Sequence, residues 1–153
     1  MKTLLLTRHG KSSWNNSDLT DHQRPLKKRG LSDSVKMATH LQKVDLRPDI
    51  ILSSDAVRAL STCNKMKVHF APPPLHCILP SLYLAGLSEI QEAISMLSSD
   101  ISCTMLIGHN PGWEVASAWL SGESVIMTSC NVVALTHSSQ DWSCIFDVGS
   151  WNL

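Results

Sequence analysis

Two short motifs hold residue types able to do chemistry together. Arg8-His9-Gly10 follows the apolar run Leu4-Leu5-Leu6-Thr7, and Gly108-His109-Asn110-Pro111-Gly112 follows Met105-Leu106-Ile107. Each puts an imidazole just past what reads as a buried strand. Ligands of open α/β sheets bind outside the carboxyl ends of the strands, so parallel neighbouring strands would bring His9 and His109 to one pocket. Arg8 and Arg58 add cations that stay protonated at any working pH and whose planar forks grip phosphate oxygens in pairs. An imidazole among guanidiniums has its protonated form disfavoured, and the neutral ring is the nucleophile. These residue types fit covalent phosphoryl transfer, with His9 attacking phosphorus while the arginines hold the nonbridging oxygens.

Alternating strand and helix patterns are what must position these groups. Leu4 to Thr7 reads as a strand, and Asn15 to Arg24 as a polar loop. Leu31 to Val44 reads as a helix on the recurrence of Leu31, Val35, Ala38, Leu41 and Val44, starting near Gly30 or Ser32. Ile50 to Leu52 is a second short strand, and Ser53-Ser54-Asp55 suits the N-cap of the helix that carries Arg58. Leu75 to Leu79 follows Pro72-Pro73-Pro74 as a short strand. Ser88 to Leu97 reads as a helix with a Ser88/Gln91 capping box. Thr104 to Ile107 is the next strand, followed by a helix with Asn110 as N-cap, Pro111 at its first position and Gly122 as its stop. Val132 to Leu135 and Cys144 to Val148 read as closing strands. The alternation predicts one α/β domain over residues 1–153, a three-layer α/β/α sandwich with a mostly parallel central sheet.

Thr7 to Gly10, Ser53 to Ala59 and Gly108 to Gly112, in that order, resemble the histidine phosphatase superfamily, the phosphoglycerate-mutase-like proteins. Arg8-His9-Gly10-Lys11-Ser12-Ser13-Trp14, Asp21-His22-Gln23-Arg24-Pro25-Leu26 and Arg29-Gly30 are similar to its SixA-type phosphohistidine phosphatases. The resemblance implies that His9 accepts the phosphoryl group, that Arg8 and Arg58 clamp phosphate, and that His109 is the second pocket imidazole. It makes Arg24 a further arginine reaching in from the loop, where Asn15 is another candidate phosphate contact. Turnover would pass through a phosphohistidine at position 9 that water hydrolyses, with no metal and no cofactor. The implied substrate is phosphohistidine on a protein.

The general acid is where the chain departs from the larger branches of that superfamily. They carry a catalytic carboxylate after the middle strand, whereas this chain reads Leu82-Tyr83-Leu84-Ala85-Gly86 with only Glu89 nearby. Glu89, Asp21 and Asp18 are the candidates, and Glu89 also suits the first turn of its helix. A sugar or serine alkoxide leaves poorly without a proton donor. A ring-protonated imidazole leaves as a neutral base whose conjugate acid has a pKa of about 6.5. An acid-poor site therefore favours a phosphoramidate substrate. The alternatives are a small-molecule or sugar-phosphate ester phosphatase and a noncatalytic phosphate-binding module. A metal hydrolase is disfavoured, since neither histidine motif has a carboxylate or further histidine at ligand spacing.

Composition bounds the partners. Thirteen basic and thirteen acidic side chains cancel, leaving no overall field to steer the chain to nucleic acid or anionic lipid. Any anion site must be local. No run approaches the ~18 apolar residues of a membrane span, and the five cysteines show no C-x-x-C pair. A cytoplasmic monomer acting on a phosphorylated protein or small phosphorylated substrate is expected, with no nucleic acid and no membrane. Trp14 lies near the pocket loop and is a candidate for shaping substrate access. Lys27-Lys28-Arg29 reads as a solvated helix start or as a dock for an acidic phosphoprotein. His22, His40, His69, His76 and His137 read as surface or loop residues.

Overall fold

Period-two alternation along the strands decides which side chains face which layer. The computed structural model describes residues 1–143 and 145–153. Its strands are β1 (Lys2–Arg8), β2 (Ile50–Ser53), β3 (Leu75–Ile78), β4 (Cys103–Gly108) and β5 (Val132–His137). Its helices are α1 (Lys28–Lys43), α2 (Val57–Lys67), α3 (Leu87–Ser95) and α4 (Gly112–Ser121). The sheet order is β3-β2-β4-β1-β5, parallel throughout except for the antiparallel β1/β5 edge. Leu4, Leu6, Leu52 and Leu106 pack against α3 and α4 through Ile90, Ile94, Trp113 and Leu120. Leu5, Ile51, Met105 and Ile107 pack against α1 and α2 through Leu41, Ala59, Cys63 and Met66. Burial on both sheet faces explains why these strands read as continuous apolar runs, and the result is the expected three-layer α/β/α sandwich.

The register that matters most is β1 on β4. Arg8 lies opposite Gly108, so the next residues, His9 and His109, emerge side by side at the carboxyl edge. Glycine makes the neighbouring turn feasible. A Cβ on Gly10 would lie 2.8 Å from the carbonyl oxygen of Gly30, so the chain after His9 can run across the first turn of α1 only because both positions lack side chains.

Several boundaries differ from the sequence expectation. Helix α1 begins at Lys28, ahead of Gly30 and Ser32, because Gly30 is buried in its first turn against the Gly10-Lys11 backbone. Ser54 does not cap α2, whose N-cap is Ala56; its hydroxyl instead accepts the Ala56 N–H at 3.1 Å in a tight turn. The Ser88/Gln91 box is not made either: α3 starts at Leu87, and Glu89 reaches back to the Gly86 N–H at 2.9 Å. Pro111 takes the N-cap of α4, while Gly122 ends that helix at φ +76° as anticipated. Of the closing strand expected at 144–148, Cys144 lies outside the described residues and residues 145–148 form no strand. Trp142 and Trp151 anchor this segment instead, donating indole N–H bonds to the carbonyls of Ile101 (2.8 Å) and Ile145 (2.7 Å).

Candidate active site

His9 is 9% exposed, and both its ring nitrogens are committed. Nδ1 lies 2.7 Å from the Gly10 carbonyl oxygen, which can only accept, and Nε2 lies 3.1 Å from Arg58 Nε, which can only donate. Both contacts are satisfied together by one species, the neutral ring with its proton on Nδ1 and a lone pair on Nε2. Burial lowers the His9 pKa from its ordinary 6.5 to about 4; the Gly10 bond opposes this, and Arg58, Arg8 and Arg24 reinforce it. At neutral pH the ring is therefore the nucleophilic form.

His109, 2% exposed, stands beside it with ring centroids 5.1 Å apart. Its Nε2 lies 2.9 Å from Ser54 Oγ. The Ser54 hydroxyl also accepts from the Ala56 N–H and keeps both a hydrogen and a second lone pair, so it can pair with His109 Nε2 in either neutral tautomer. Burial, then His9 and Arg58, lower the His109 pKa to about 3. Both His109 Nδ1 and Arg8 Nε are buried without a protein partner, an arrangement costly enough to require an explanation. Unpartnered nitrogens on Arg8 and His109, two residues of a pocket lined by three arginines, suit an anionic ligand.

The three guanidiniums are held from different elements. Arg8, at the end of β1, donates from Nη1 to the Met127 carbonyl at 2.7 Å. Arg58, in the first turn of α2, donates to the Asp21 carbonyl (2.6 Å) and to Asp21 Oδ2 (3.0 Å). Arg24 donates to Asp21 Oδ1 (2.8 Å), Ser13 O (3.0 Å) and Ser12 Oγ, with its guanidinium stacked 3.3 Å from the centroid of the Trp14 ring. The pocket these residues line has a volume of about 360 Å³.

Asp21 is the carboxylate that fastens this cluster. The Tyr83 hydroxyl donates to Oδ2 at 2.6 Å, and that bond, with the Arg24 and Arg58 bonds, holds the carboxyl far below the usual carboxylate range. Held as an anion in this way, Asp21 is poorly suited to donate a proton and is placed to fasten Arg24 and Arg58. Glu89 is half-buried and caps α3 through the Gly86 N–H, and it does not line the pocket. Asp18 and Asn15 are exposed on the loop and do not line the pocket, so Asn15 is not positioned as the phosphate contact expected of it. The structure thus brings Arg8, His9, Asp21, Arg24, Arg58 and His109 together and leaves Asn15, Asp18 and Glu89 outside.

Three participants were not anticipated. Tyr83 packs edge-on against both His109 (centroids 5.4 Å) and His22 (4.8 Å) besides binding Asp21. His22 in turn pairs with Asp55 at 2.9 Å, tying the loop to the start of α2. Ser12 meets Arg24. Tyr83 sits in the segment where the larger branches carry their acid, and that coincidence was the available signal.

Comparison with known proteins agrees with this geometry. Residues 4–91 match the histidine phosphatase superfamily, branch 1. An uncharacterised chloroplastic protein of Arabidopsis thaliana is 38% identical over 165 residues, spanning 99% of this chain and 75% of its own. A chain assigned as the phosphohistidine phosphatase SixA from Agrobacterium tumefaciens superposes with a TM-score of 0.84 at 23% identity, covering 99% of this chain and 94% of that one. The protein histidine phosphatase SixA complexed with tungstate gives 0.83 at 22% identity, with the same coverage. At such identities the structural likeness speaks for the fold, while the family match speaks for descent. The chain is thus a phosphatase belonging to the histidine phosphatase superfamily, branch 1, built on the fold of the SixA proteins.

Proposed function

We propose that the protein removes phosphoryl groups from phosphohistidine on protein substrates, through a phosphoryl-His9 intermediate and without a metal. The observation that carries this reading is the state of Asp21. Among the described residues lining the pocket it is the one carboxylate, and it is locked as an anion. Ester substrates with basic leaving groups need a proton donor that this set does not supply. A substrate imidazole protonated on its distal ring nitrogen needs none.

The chemistry balances with the groups present. The His9 Nε2 lone pair attacks phosphorus, the phosphorus–nitrogen bond to the substrate breaks, and its electrons depart on a neutral imidazole. His9 then carries phosphoryl on Nε2 and still holds its Nδ1 proton against the Gly10 carbonyl. The intermediate is formed ring-protonated, so His9 is itself a neutral leaving group when water attacks phosphorus and releases inorganic phosphate. Arg8, Arg24 and Arg58 supply the positive charge that neutralises the transferring oxygens, and His109, with its proton on the unpartnered Nδ1, would add a further donor.

The mouth of the pocket favours a macromolecular surface. Trp14 (71% exposed) and Leu84 (58% exposed) both line it. Leu84 is held at φ +50°, a left-handed conformation costly for a branched side chain. Exposed apolar groups around a charged pocket suit docking against another protein.

The test is hydrolysis of a phosphohistidine-bearing protein beside a phosphoserine peptide and a sugar phosphate, in chelator, with wild type and His9→Ala. Preferential, His9-dependent loss of phosphohistidine is expected. Faster turnover of the phosphate esters would overturn the substrate assignment, and loss of activity in chelator would overturn metal independence.

A further inference from the structure

We infer that a basic recess beside the catalytic pocket is an anion subsite that takes acidic side chains flanking the phosphorylated residue of a protein substrate. The inference rests on the function proposed above. Lys11 and Ser129 line the catalytic pocket and also a second recess of about 220 Å³, whose remaining walls are Arg29 and Thr128. A ligand seated at His9 therefore has a cationic wall within its immediate reach.

The topology concentrates the charge. The Gly10/Gly30 contact lays Lys11 across the first turn of α1, and the Lys27 N–H donates to the Lys11 carbonyl at 2.8 Å. Lys11, Lys27, Lys28 and Arg29 are all exposed. The first turn of α1 contains no acidic residue, although the helix dipole disfavours cations there and favours carboxylates. This local mismatch is expected where a surface serves binding rather than stability. Asp33 answers Arg29 at 3.4 Å and Lys36 at 3.9 Å, while Lys11, Lys27 and Lys28 form no ion pair among the described residues. In a chain of zero net charge such a patch is a local attractor, not part of a general field.

The occupant that fits is an acidic peptide segment. The recess shares Lys11 and Ser129 with the pocket that holds His9, so its ligand would come from chain close to the phosphorylated side chain. Trp14 and Leu84 supply exposed apolar contact at the same mouth, the mix of apolar anchors and charged rim found at protein interfaces.

The experiment compares two phosphohistidine peptides differing only in flanking Glu against flanking Gln, together with the phosphoserine versions of both and p-nitrophenyl phosphate as a small probe. Wild type is set beside the double variant Lys28→Glu, Arg29→Glu, in which a better match to the helix dipole offsets loss of the exposed Arg29–Asp33 pair, and its fold is checked by circular dichroism and Tm. Wild type should prefer the acidic phosphohistidine peptide by about tenfold in kcat/KM, the size of two modest ion pairs, and lose that preference at high salt. The double variant should abolish or invert the preference while its turnover of p-nitrophenyl phosphate is unchanged. Equal kcat/KM for both peptides, or a preference that survives charge reversal, would overturn the subsite. If neither phosphohistidine peptide is turned over, the functional reading fails separately. The subsite is then decided by binding: tighter anisotropy-detected affinity for the acidic phosphoserine peptide supports it, and equal affinity sinks it.

Discussion

At the scale of single residues, the site is governed by which protons are fixed and where. His9 is neutral with its lone pair on Nε2 because Gly10 and Arg58 leave it no other arrangement, and Asp21 is ionised because Tyr83, Arg24 and Arg58 all donate to it. Asp21 thus acts by holding Arg24 and Arg58 in place. Asp21→Asn should raise KM about tenfold, the value of weakened charge-assisted bonds. It should leave the ratio of p-nitrophenyl phosphate to alkyl phosphate turnover unchanged. A swing of that ratio toward the better leaving group by about 10² or more would make Asp21 an acid after all. Arg8, His9, Arg58 and His109 were legible in the sequence because each lies at a strand end or in the helix turn that follows one. The ionised state of Asp21 was not, since it depends on Arg58 and Tyr83, which lie 37 and 62 residues further along the chain.

At the scale of elements, the pocket is assembled by the parallel β1/β4 pair and by the passage of the Gly10-Lys11 backbone over α1. A Cβ at Gly10 meets rigid backbone, the Gly30 carbonyl, at 2.8 Å. Gly10→Ala should therefore cost about 1–3 kcal/mol, lower Tm by roughly 5 °C and displace His9 enough to cut kcat. Unaltered Tm and kcat would show that the turn tolerates a side chain. Strands and their order of appearance were readable from apolar runs, because burial on both faces leaves little else to place there. Helix starts were less so. The sequence signals at Ser54, Ser88 and Asn110 were sound cap chemistry, yet their side chains went to neighbouring groups: Ser54 to Ala56 and His109, Ser88 to Glu89, and Asn110 to Glu114 and Met127. The segment after β5 carries a strand-like apolar pattern, but buried Trp142, Ile145 and Trp151 satisfy it by packing onto the sheet's α3/α4 face.

At the scale of the whole molecule, the strand order β3-β2-β4-β1-β5 puts the two histidine-bearing strands side by side near the middle of the sheet, which no local pattern could specify. Keeping both imidazoles neutral and buried makes stability depend on pH. Their folded pKa values, about 4 and about 3, lie below the ordinary 6.5, so the unfolded chain binds more protons between those values. Stability from this source is full above about pH 6.5 and falls as pH drops toward 4, at up to about 1.4 kcal/mol per pH unit for each histidine. The urea midpoint should decline steadily from pH 7 to pH 5, and His109→Gln should flatten the slope; a midpoint independent of pH in that range would contradict the neutral, buried pair. The central claim, that His9 carries the phosphoryl group, is met most directly by rapid acid-free quenching of turnover in chelator followed by peptide mapping. An acid-labile phosphoryl group on the peptide containing His9, absent from His9→Ala along with turnover, is the result this account requires. Phosphate release by His9→Ala at more than a few percent of the wild-type rate would contradict it.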